Sequence, residues 1–190
     1  MRLSGQADVL PVTISERLIE GHNLKPGATL CALGQFRSYN KLEGGRSRLM
    51  LTVFVRELLS AAPAANPNSI VLSGYICKQP IYRTTPFNRE IADLLLAVNR
   101  AYNKSDYIPC IAWGRNARFV QNLKVGDRVA LSGRIQSREY VKKLSDTEQV
   151  TMTAYEVSVS KLAAFDEDEN FDLDGEFNLY AAPASAHSVQ

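Results

Sequence analysis

Residues 128–140 alternate between apolar and polar side chains, with Arg134, Gln136, Arg138 and Tyr140 on the polar face. This pattern is typical of a strand with one buried face. Apolar or alternating runs at 70–78, 91–98, 106–113 and 150–162 predict four further strands, and residues 115–123 predict a short helix. Five strands with one helix after the third predict an all-β fold: an OB-fold, which is a five-stranded Greek-key barrel, or another five-stranded β-barrel.

The chain also contains an internal repeat. Residues 8–11 (DVLP) recur as 106–109 (DYIP), residues 23–27 (NLKPG) as 122–126 (NLKVG), and residues 34–38 (GQFRS) as 133–137 (GRIQS). A looser match joins 51–58 to 155–162, and the separation grows from 98 to 104 residues while the order is kept. The repeat predicts two units of the same kind in tandem.

The two copies are expected to be unequal. The second has 37 residues, 69–105, ahead of Asp106, whereas the first has seven ahead of Asp8. We therefore expect the first to lack a strand or two, and we interpret this as a shortened chain or a start codon assigned too late. The predicted organisation is a partial OB-fold unit at 1–58 (copy one), a linker at 59–68, a complete OB-fold unit at 69–163 (copy two) and an acidic, disordered tail at 164–190.

Charge is distributed unevenly along the 190 residues. The net charge is +2, from 22 Lys and Arg against 20 Asp and Glu, yet seven of the acidic residues fall between positions 166 and 176. A basic body with an acidic tail favours interaction with nucleic acid. Because the sequence shows neither an apolar run long enough to span a membrane nor an export signal, we expect a cytoplasmic, nucleoid-associated protein with no membrane partner.

The sequence offers little for catalysis. It has two histidines, His22 and His187, and none of the familiar nucleophile, phosphate-loop, dinucleotide or zinc motifs. Three widely spaced cysteines fit small buried thiols in a reduced compartment, and the scattered carboxylates Glu90, Asp93, Asp106 and Asp127 are interpreted as surface or turn residues. We expect neither an enzyme nor a bound metal or cofactor.

Basic residues interleaved with aromatic ones are the stronger signal in copy two. Single-stranded nucleic acid is held by cations that follow the phosphates and by aromatic rings that stack on bases. Two alternatives stay open: Trp113 and Phe119 could be core residues, and Lys142-Lys143 could be a solvated hairpin. The predicted phosphate contacts are Lys78, Arg83, Arg100, Arg115, Arg118, Arg134, Arg138, Lys142 and Lys143.

Several segments of copy two resemble the bacterial single-stranded DNA-binding proteins. Residues 74–86 (GYICKQPIYRTTP) are similar to the first strand and hairpin of that family, and residues 97–100 (AVNR) to the end of its second strand. Trp113 with Arg115 resembles the start of its helix, Phe119 matches a stacking phenylalanine, and residues 133–140 (GRIQSREY) resemble the fourth strand. The resemblance covers residues 69–162.

This resemblance implies an OB-fold that binds single-stranded DNA without catalysis, in assemblies that hold four OB units. It implies base stacking by Trp113, Phe119 and Tyr140, with Tyr102 or Tyr107 as a further platform. In copy one, Ser15 stands in the place of Trp113 and no aromatic residue matches Phe119. Any contact from copy one would therefore come from Phe36, Arg37, Tyr39, Lys41 and Arg46.

The expected function is the binding and protection of single-stranded DNA in replication, recombination and repair. We expect self-association through the OB units and recruitment of replication and repair proteins by the acidic tail. Two alternatives stay open: a primosome-type or other protein-interaction adaptor built on the OB surface, and an RNA-binding OB module.

Overall fold

The computed structural model describes residues 7–20, 24–60, 68–145 and 148–165. The predicted tail beyond residue 165 and most of the predicted linker lie outside the described residues. The elements are β1 (Val12–Thr13), α1 (Glu16–Ile19), β2 (Cys31–Glu43), β3 (Arg46–Leu59), β4 (Ile70–Ile76), β5 (Ile81–Thr84), β6 (Glu90–Arg100), β7 (Lys104–Trp113), α2 (Arg115–Val120), β8 (Arg128–Lys143) and β9 (Gln149–Phe165).

Copy two forms a closed β-barrel. Its six strands lie in the order β4-β8-β9-β7-β6-β5, and β4 returns to pair with β6 at Tyr75 and Ile76. Strand β7 runs parallel to β9, while the other neighbours are antiparallel. The all-β fold and the order of its main elements were predicted correctly.

Two local features of copy two differ from the prediction. Residues 81–84 form a sixth strand, β5, which the sequence did not predict and which pairs with β6. The helix ends at Val120, three residues early, because the Leu123 amide donates to the Val120 carbonyl at 3.0 Å in a tight turn.

The pairing of β8 with β9 contains a bulge opposite Gly133 that the alternation of side chains in β8 did not reveal. The register steps from Ser132–Lys161 to Gly133–Val159, so the extra residue is Ser160 of β9, and a Cβ at Gly133 would lie 2.2 Å from the Ser158 carbonyl oxygen. Gln136 stays on the predicted face of β8, but it is buried there: it donates to Glu156 Oε1 at 2.7 Å and accepts from Arg134, which pairs with Asp8 of copy one.

Copy one repeats the second half of this unit. Its sheet has the order β1-β3-β2, and the parallel pairs Val12–Val53 and Thr13–Phe54 occupy the positions that Cys110–Val157 and Ile111–Ser158 hold in copy two. Its bulge, at Arg56 of β3, also lies opposite the equivalent glycine, Gly34, where a Cβ would lie 2.4 Å from the Phe54 carbonyl oxygen. The sequence repeat is therefore a structural repeat.

The two copies share one hydrophobic core, to which copy one contributes Phe36 and Leu51. Beside that core, the Ser38 amide of β2 donates to Asp106 Oδ1 of β7 at 2.7 Å, and the Tyr107 amide donates to Ser38 Oγ at 2.7 Å. Arg100 Nε lies 2.9 Å from Asp106 Oδ2, forming an ion pair without an aligned hydrogen bond. The interpretation of Asp106 as a surface or turn residue was wrong, because its side chain is buried at the junction.

The equivalent residues make the same contacts in the opposite direction. The Ser137 amide of copy two donates to Asp8 Oδ1 of copy one at 3.1 Å, and the Val9 amide donates to Ser137 Oγ at 3.0 Å. Asp8 and Asp106 are equivalent positions of the repeat, as are Ser38 and Ser137. The copies thus meet across a pseudo-two-fold axis, in the manner of an isologous dimer contained in one chain.

We predict that Asp106→Ala lowers the free energy of unfolding by about 3 kcal/mol, because it removes the acceptor of the Ser38 amide and leaves Arg100 without its buried partner. Asp93→Ala serves as the control, since its pair with Arg83 is exposed on both sides and is worth less than about 1 kcal/mol. Urea unfolding followed by circular dichroism measures both changes. Equal losses would contradict a special role for the junction carboxylate.

Candidate nucleic-acid interface

The outward face of β7 carries the aromatic residues that the sequence singled out. Tyr107, Pro109 and Trp113 lie on this face, while Ile108, Cys110 and Ala112 alternate with them and point into the core. Six residues of strand separate Tyr107 from Trp113, or roughly 20 Å. Ile111 lies between them on the same face and is buried, so β7 carries two exposed aromatic residues near its two ends.

A groove of about 700 Å³, here called the large groove, lies between the β2–β3 hairpin of copy one and the β8–β9 hairpin of copy two. Pro109 of β7 forms part of its lining, so the groove adjoins the outward face of that strand. Copy two contributes the predicted residues Arg138, Tyr140 and Lys142, which alternate along β8 and share one face. Copy one contributes residues 47–51 and Glu43.

The cations of the large groove are oriented by neighbouring groups. The Arg138 guanidinium lies 5.9 Å from the centre of the Tyr140 ring, and its Nε donates to the buried Glu156 carboxylate at 3.4 Å. The Tyr140 hydroxyl lies 3.7 Å from Met152 Sδ, which lines the same groove. These contacts favour a fixed arrangement of Arg138 and Tyr140, with the ring partly exposed.

A second, smaller depression spans the contact between the copies and is here called the junction groove. Its two parts, of about 270 and 360 Å³, share Ser38, Tyr39 and Arg100. Tyr107 and Lys104 line one part, and Arg37 stacks over the Phe54 ring at 4.0 Å in the other. The predicted residues Arg37, Tyr39, Arg100 and Tyr107 therefore come together, although they belong to different copies.

Two other candidates from copy one, Phe36 and Lys41, are placed less favourably. Phe36 is buried in the shared core, so its prediction as a contact is wrong: its ring has no face available for a base. Lys41 Nζ lies 3.4 Å from Glu43, which gives it an acidic neighbour at the hairpin tip. Arg46 begins β3.

The far end of β7 carries a third cluster. Trp113 and Phe119 are each 39% exposed, so the alternative that they are simply core residues does not describe them. Beside them, Glu90 accepts a hydrogen bond from the Tyr82 hydroxyl at 2.6 Å and lies 3.4 Å from Arg118. The bond to Glu90 raises the pKa of Tyr82 above its ordinary value.

Five of the nine predicted phosphate contacts already have acidic partners. Arg83 pairs with Asp93, Arg100 with Asp106, Arg118 with Glu90, Arg134 with Asp8, and Arg138 with Glu156. Arg134 is the least available of these, since it is mostly buried beside the junction carboxylate of Asp8. Among the described residues, the predicted cations that show no ion pair are Lys78, Arg115, Lys142 and Lys143.

Sequence reasoning missed several candidates. Phe87 stands at the tip of the β5–β6 loop and is 87% exposed, on a loop that contacts oligonucleotides in OB-folds. Its signal was an aromatic residue between Pro86 and Asn88, in a segment with turn composition. Arg48 and Phe54 of copy one were missed because their proximity to copy two depends on the junction.

The thiols do not add a reactive group to these grooves. Cys110 is buried in the core, and burial raises the pKa of its thiol above the ordinary value. Burial also raises the pKa of Cys77, whose Sγ donates to the Leu95 carbonyl at 3.2 Å.

Within the described ranges, no three His, Cys, Asp or Glu side chains are grouped closely enough for a metal ion, and no helix is long and apolar enough to cross a membrane.

Tyr102 lies in a strained turn. It lies between β6 and β7 with φ of 64°, followed by Asn103 with φ of 54°, and its side chain is exposed. A bulky residue in this left-handed region costs about 1–2 kcal/mol relative to glycine.

We predict that Tyr102→Gly raises the free energy of unfolding by about 1 kcal/mol, because glycine adopts this backbone conformation without strain. Tyr107→Gly, in the extended β7, serves as the control and should lower stability by about 1 kcal/mol, since glycine weakens a strand interior. Denaturant unfolding of the two variants beside the parent measures both effects. A loss of stability in Tyr102→Gly would show that the tyrosine side chain supports the turn.

Comparison with known proteins shows which family this chain is similar to. The family model described as "Single-strand binding protein family" matches residues 67–164. The Staphylococcus aureus (strain COL) "Single-stranded DNA-binding protein 1" is 40% identical over 80 residues, which are 38% of this chain and 48% of that protein. The Listeria monocytogenes "Single-stranded DNA-binding protein 2" is 35% identical over 115 residues, covering 57% of this chain and 69% of that protein.

A solved structure shares the fold. A deletion mutant of the single-stranded DNA binding protein from Thermus aquaticus matches with a TM-score of 0.56 and 19% identity, over 75% of this chain and 62% of that chain. The present chain spans about half the length of the first curated relatives that it matches, 48% in the Staphylococcus aureus protein and 46% in the Bacillus subtilis "Single-stranded DNA-binding protein A". With the matched model covering copy two, the chain belongs to the single-strand binding protein family.

Proposed function

We propose that this protein binds and protects single-stranded DNA, without catalysis, in replication, recombination and repair. The observation that carries the proposal is the combination of exposed aromatic residues on β7 with the aromatic and cationic side chains that line the adjoining large groove. This pairing of stacking rings with phosphate-binding cations is what sequence-independent binding of a single strand requires. Membership of the family and the names of its relatives support the same function.

The bound strand would follow β7. Tyr107, Tyr140 and Trp113 would stack on successive bases or groups of bases, with Phe119 and Phe87 at the end near α2. Lys142, Lys143, Lys78 and Arg115 would contact phosphates without first breaking an ion pair, because none of them shows an acidic partner among the described residues. Arg138 would contribute while held by Glu156.

Copy one would extend the same path through the junction groove. Arg37 and Tyr39 lie beside Arg100 and Tyr107. A DNA strand that passes Tyr107, near the start of β7, would therefore meet cations and aromatic rings from both copies. Copy one would therefore contribute to the site through its position, although it has no counterpart of Trp113. In this proposal, the complete unit predicted at 69–163 binds the DNA strand, and the partial unit predicted at 1–58 extends its path.

We further propose self-association through the OB units and recruitment of replication and repair proteins by the acidic tail, whose residues 166–190 lie outside the described residues. The cytoplasm, at the nucleoid, is the expected location for this activity. RNA binding and a protein-interaction adaptor are the alternatives, and the titrations below separate them.

We predict that oligo-dT quenches the fluorescence of Trp113, the single tryptophan of the chain, because a stacked base contacts its exposed ring. The apparent affinity should fall as salt rises, since phosphate contacts release counterions on binding. Oligo-U titrated in parallel measures the preference for DNA over RNA. A full titration without quenching or affinity would contradict the proposed mechanism and favour the adaptor.

We predict that Tyr140→Ala weakens binding of oligo-dT by about 1–3 kcal/mol, the value of one base stacked on an aromatic ring. Tyr75→Ala is the matched control, because both tyrosines are 38% exposed but Tyr75 lies on β4, outside the lining of the large groove. Fluorescence anisotropy with a labelled oligo-dT reports the two affinities directly. Equal effects of the two substitutions would remove the large groove from the binding path.

A further inference from the structure

Arg37 of copy one lies flat on an aromatic ring of the neighbouring strand. Phe36 and Ser38 of β2 are buried, so the residues that alternate with them face outward. Gln35 and Arg37 lie on this outward face, and Phe54 of β3 pairs with Gln35 across the hairpin. The central carbon of the Arg37 guanidinium lies 4.0 Å from the centre of the Phe54 ring. The ring therefore covers one face of the guanidinium plane.

A glutamine fixes the orientation of this guanidinium. Arg37 donates to Gln35 Oε1 from Nε at 3.1 Å and from Nη2 at 2.7 Å. Arginine binds a carboxylate or phosphate through pairs of N–H groups along its edges. Because the neutral Gln35 oxygen already occupies one such pair, the face of the plane opposite Phe54 becomes the more favourable surface for a ligand.

Copy two uses the same two residue types for a different purpose. At the equivalent positions of β8 they stand in the reverse order, and Arg134 Nη2 donates to Gln136 Oε1 at 3.0 Å. Arg134 also pairs with Asp8 at the contact between the copies. In the part of the chain that the structure describes, Arg37 takes part in no ion pair. The charge of Arg37 is therefore not used to hold the copies together.

The ring beneath Arg37 has no counterpart in copy two. The parallel pair Thr13–Phe54 occupies the position of the pair Ile111–Ser158, so a serine stands where copy one has the phenylalanine. An aromatic ring supports a guanidinium over its face by a cation–π contact. Copy one thus contains a stacked pair, Arg37 on Phe54, that the repeat of the fold does not require.

We propose that Arg37 is a base-stacking residue: the junction groove takes an unpaired base of single-stranded DNA on the guanidinium face opposite Phe54. This inference rests on the proposed function and names the chemistry of one of its subsites. Guanidinium planes stack on unpaired bases as aromatic rings do, and every base offers a face for such a contact. Gln35 acts as a positioning residue, because it reaches the base only through Arg37.

The surroundings of Arg37 suit a strand of nucleotides. The part of the junction groove that Arg37 lines has a volume of about 360 Å³, within the range of sites that hold small ligands. Tyr39 and Tyr107, which are 52% and 44% exposed, line the same groove, as does Lys104. A base on Arg37 would therefore have aromatic rings nearby for the next bases and a cation for the phosphates that join them.

The test compares Arg37→Lys with the parent protein on two labelled ligands of equal length. Oligo-dT offers bases and phosphates, whereas a strand built of abasic sites offers the phosphates alone. Arg37→Lys should weaken binding of oligo-dT about ten-fold, since lysine keeps the charge but has no plane to stack on a base. Binding of the abasic strand should stay unchanged, which also reports that the variant is folded. Fluorescence anisotropy at one low salt concentration measures both affinities.

Two further variants serve as control and as a test of the positioning residue. Arg56→Lys is the matched control, because Arg56 is an exposed arginine of the same hairpin outside the lining of both grooves, and its substitution should change neither affinity. Gln35→Ala should weaken binding of oligo-dT about three-fold, and combined with Arg37→Lys it should cause no further loss, because it acts through Arg37.

Several results would overturn the proposal. One is an oligo-dT affinity of Arg37→Lys within about two-fold of the parent value, which is too small for a lost stack. Another is an equal loss on oligo-dT and on the abasic strand, which would make Arg37 a phosphate contact. Additive losses in the double variant would remove Gln35 from its positioning role. A parent protein that binds neither ligand would instead contradict the proposed function itself.

Discussion

Two aspartates hold the copies of this protein together, and the surface available for a ligand depends on them. Asp106 accepts the Ser38 amide, and Asp8 accepts the Ser137 amide, so each copy supplies one acceptor and one donor. These bonds lie beside a core to which both copies contribute. Because the large groove and the junction groove are each lined by both copies, their shapes follow from this reciprocal contact. A buried carboxylate fixes the relative positions of the groups that donate to it, because its oxygens must accept hydrogen bonds from those groups.

The bulge glycines impose a second constraint. At Gly34 and Gly133 the partner strand's carbonyl oxygen occupies the space that a Cβ would need, so any other residue would push the strands apart. The extra residue lies in the partner strand in both copies, Arg56 of β3 and Ser160 of β9, so the alternation along β2 and β8 continues past each glycine. Gln136 therefore shares a face of β8 with Arg138, Tyr140 and Lys142. Gln136 is buried next to Arg134, which pairs with Asp8 of copy one, whereas the other three line the large groove.

The structure shows that the predicted cations are not equally available to a ligand. Five of the predicted phosphate contacts are arginines paired with carboxylates of the body, which lowers the number of cations free for a ligand. Those pairs are not equivalent: the Arg83–Asp93 pair is exposed, so water competes for it, whereas Arg100 and Arg134 serve buried junction carboxylates. The lysines at 78, 142 and 143 have no such partners among the described residues and are the more available charges. Net charge alone would not have distinguished these groups.

A single sequence was enough to predict the tandem repeat, the order of the main strands in copy two, and the outward placement of Tyr107 and Trp113. Those features depend on local alternation and on direct comparison of segments, which a single sequence contains. The tertiary structure alone decided that Asp106 is a junction residue, that Arg134 is paired with Asp8, and that Phe36 belongs to the core. The contacts of Asp106 with Ser38 and of Arg134 with Asp8 join residues 68 and 126 positions apart, and local side-chain patterns carry no information about which distant partner a residue meets. The reason is physical: burial and ion pairing are properties of the assembled surfaces, and those surfaces exist only after the two copies have packed together.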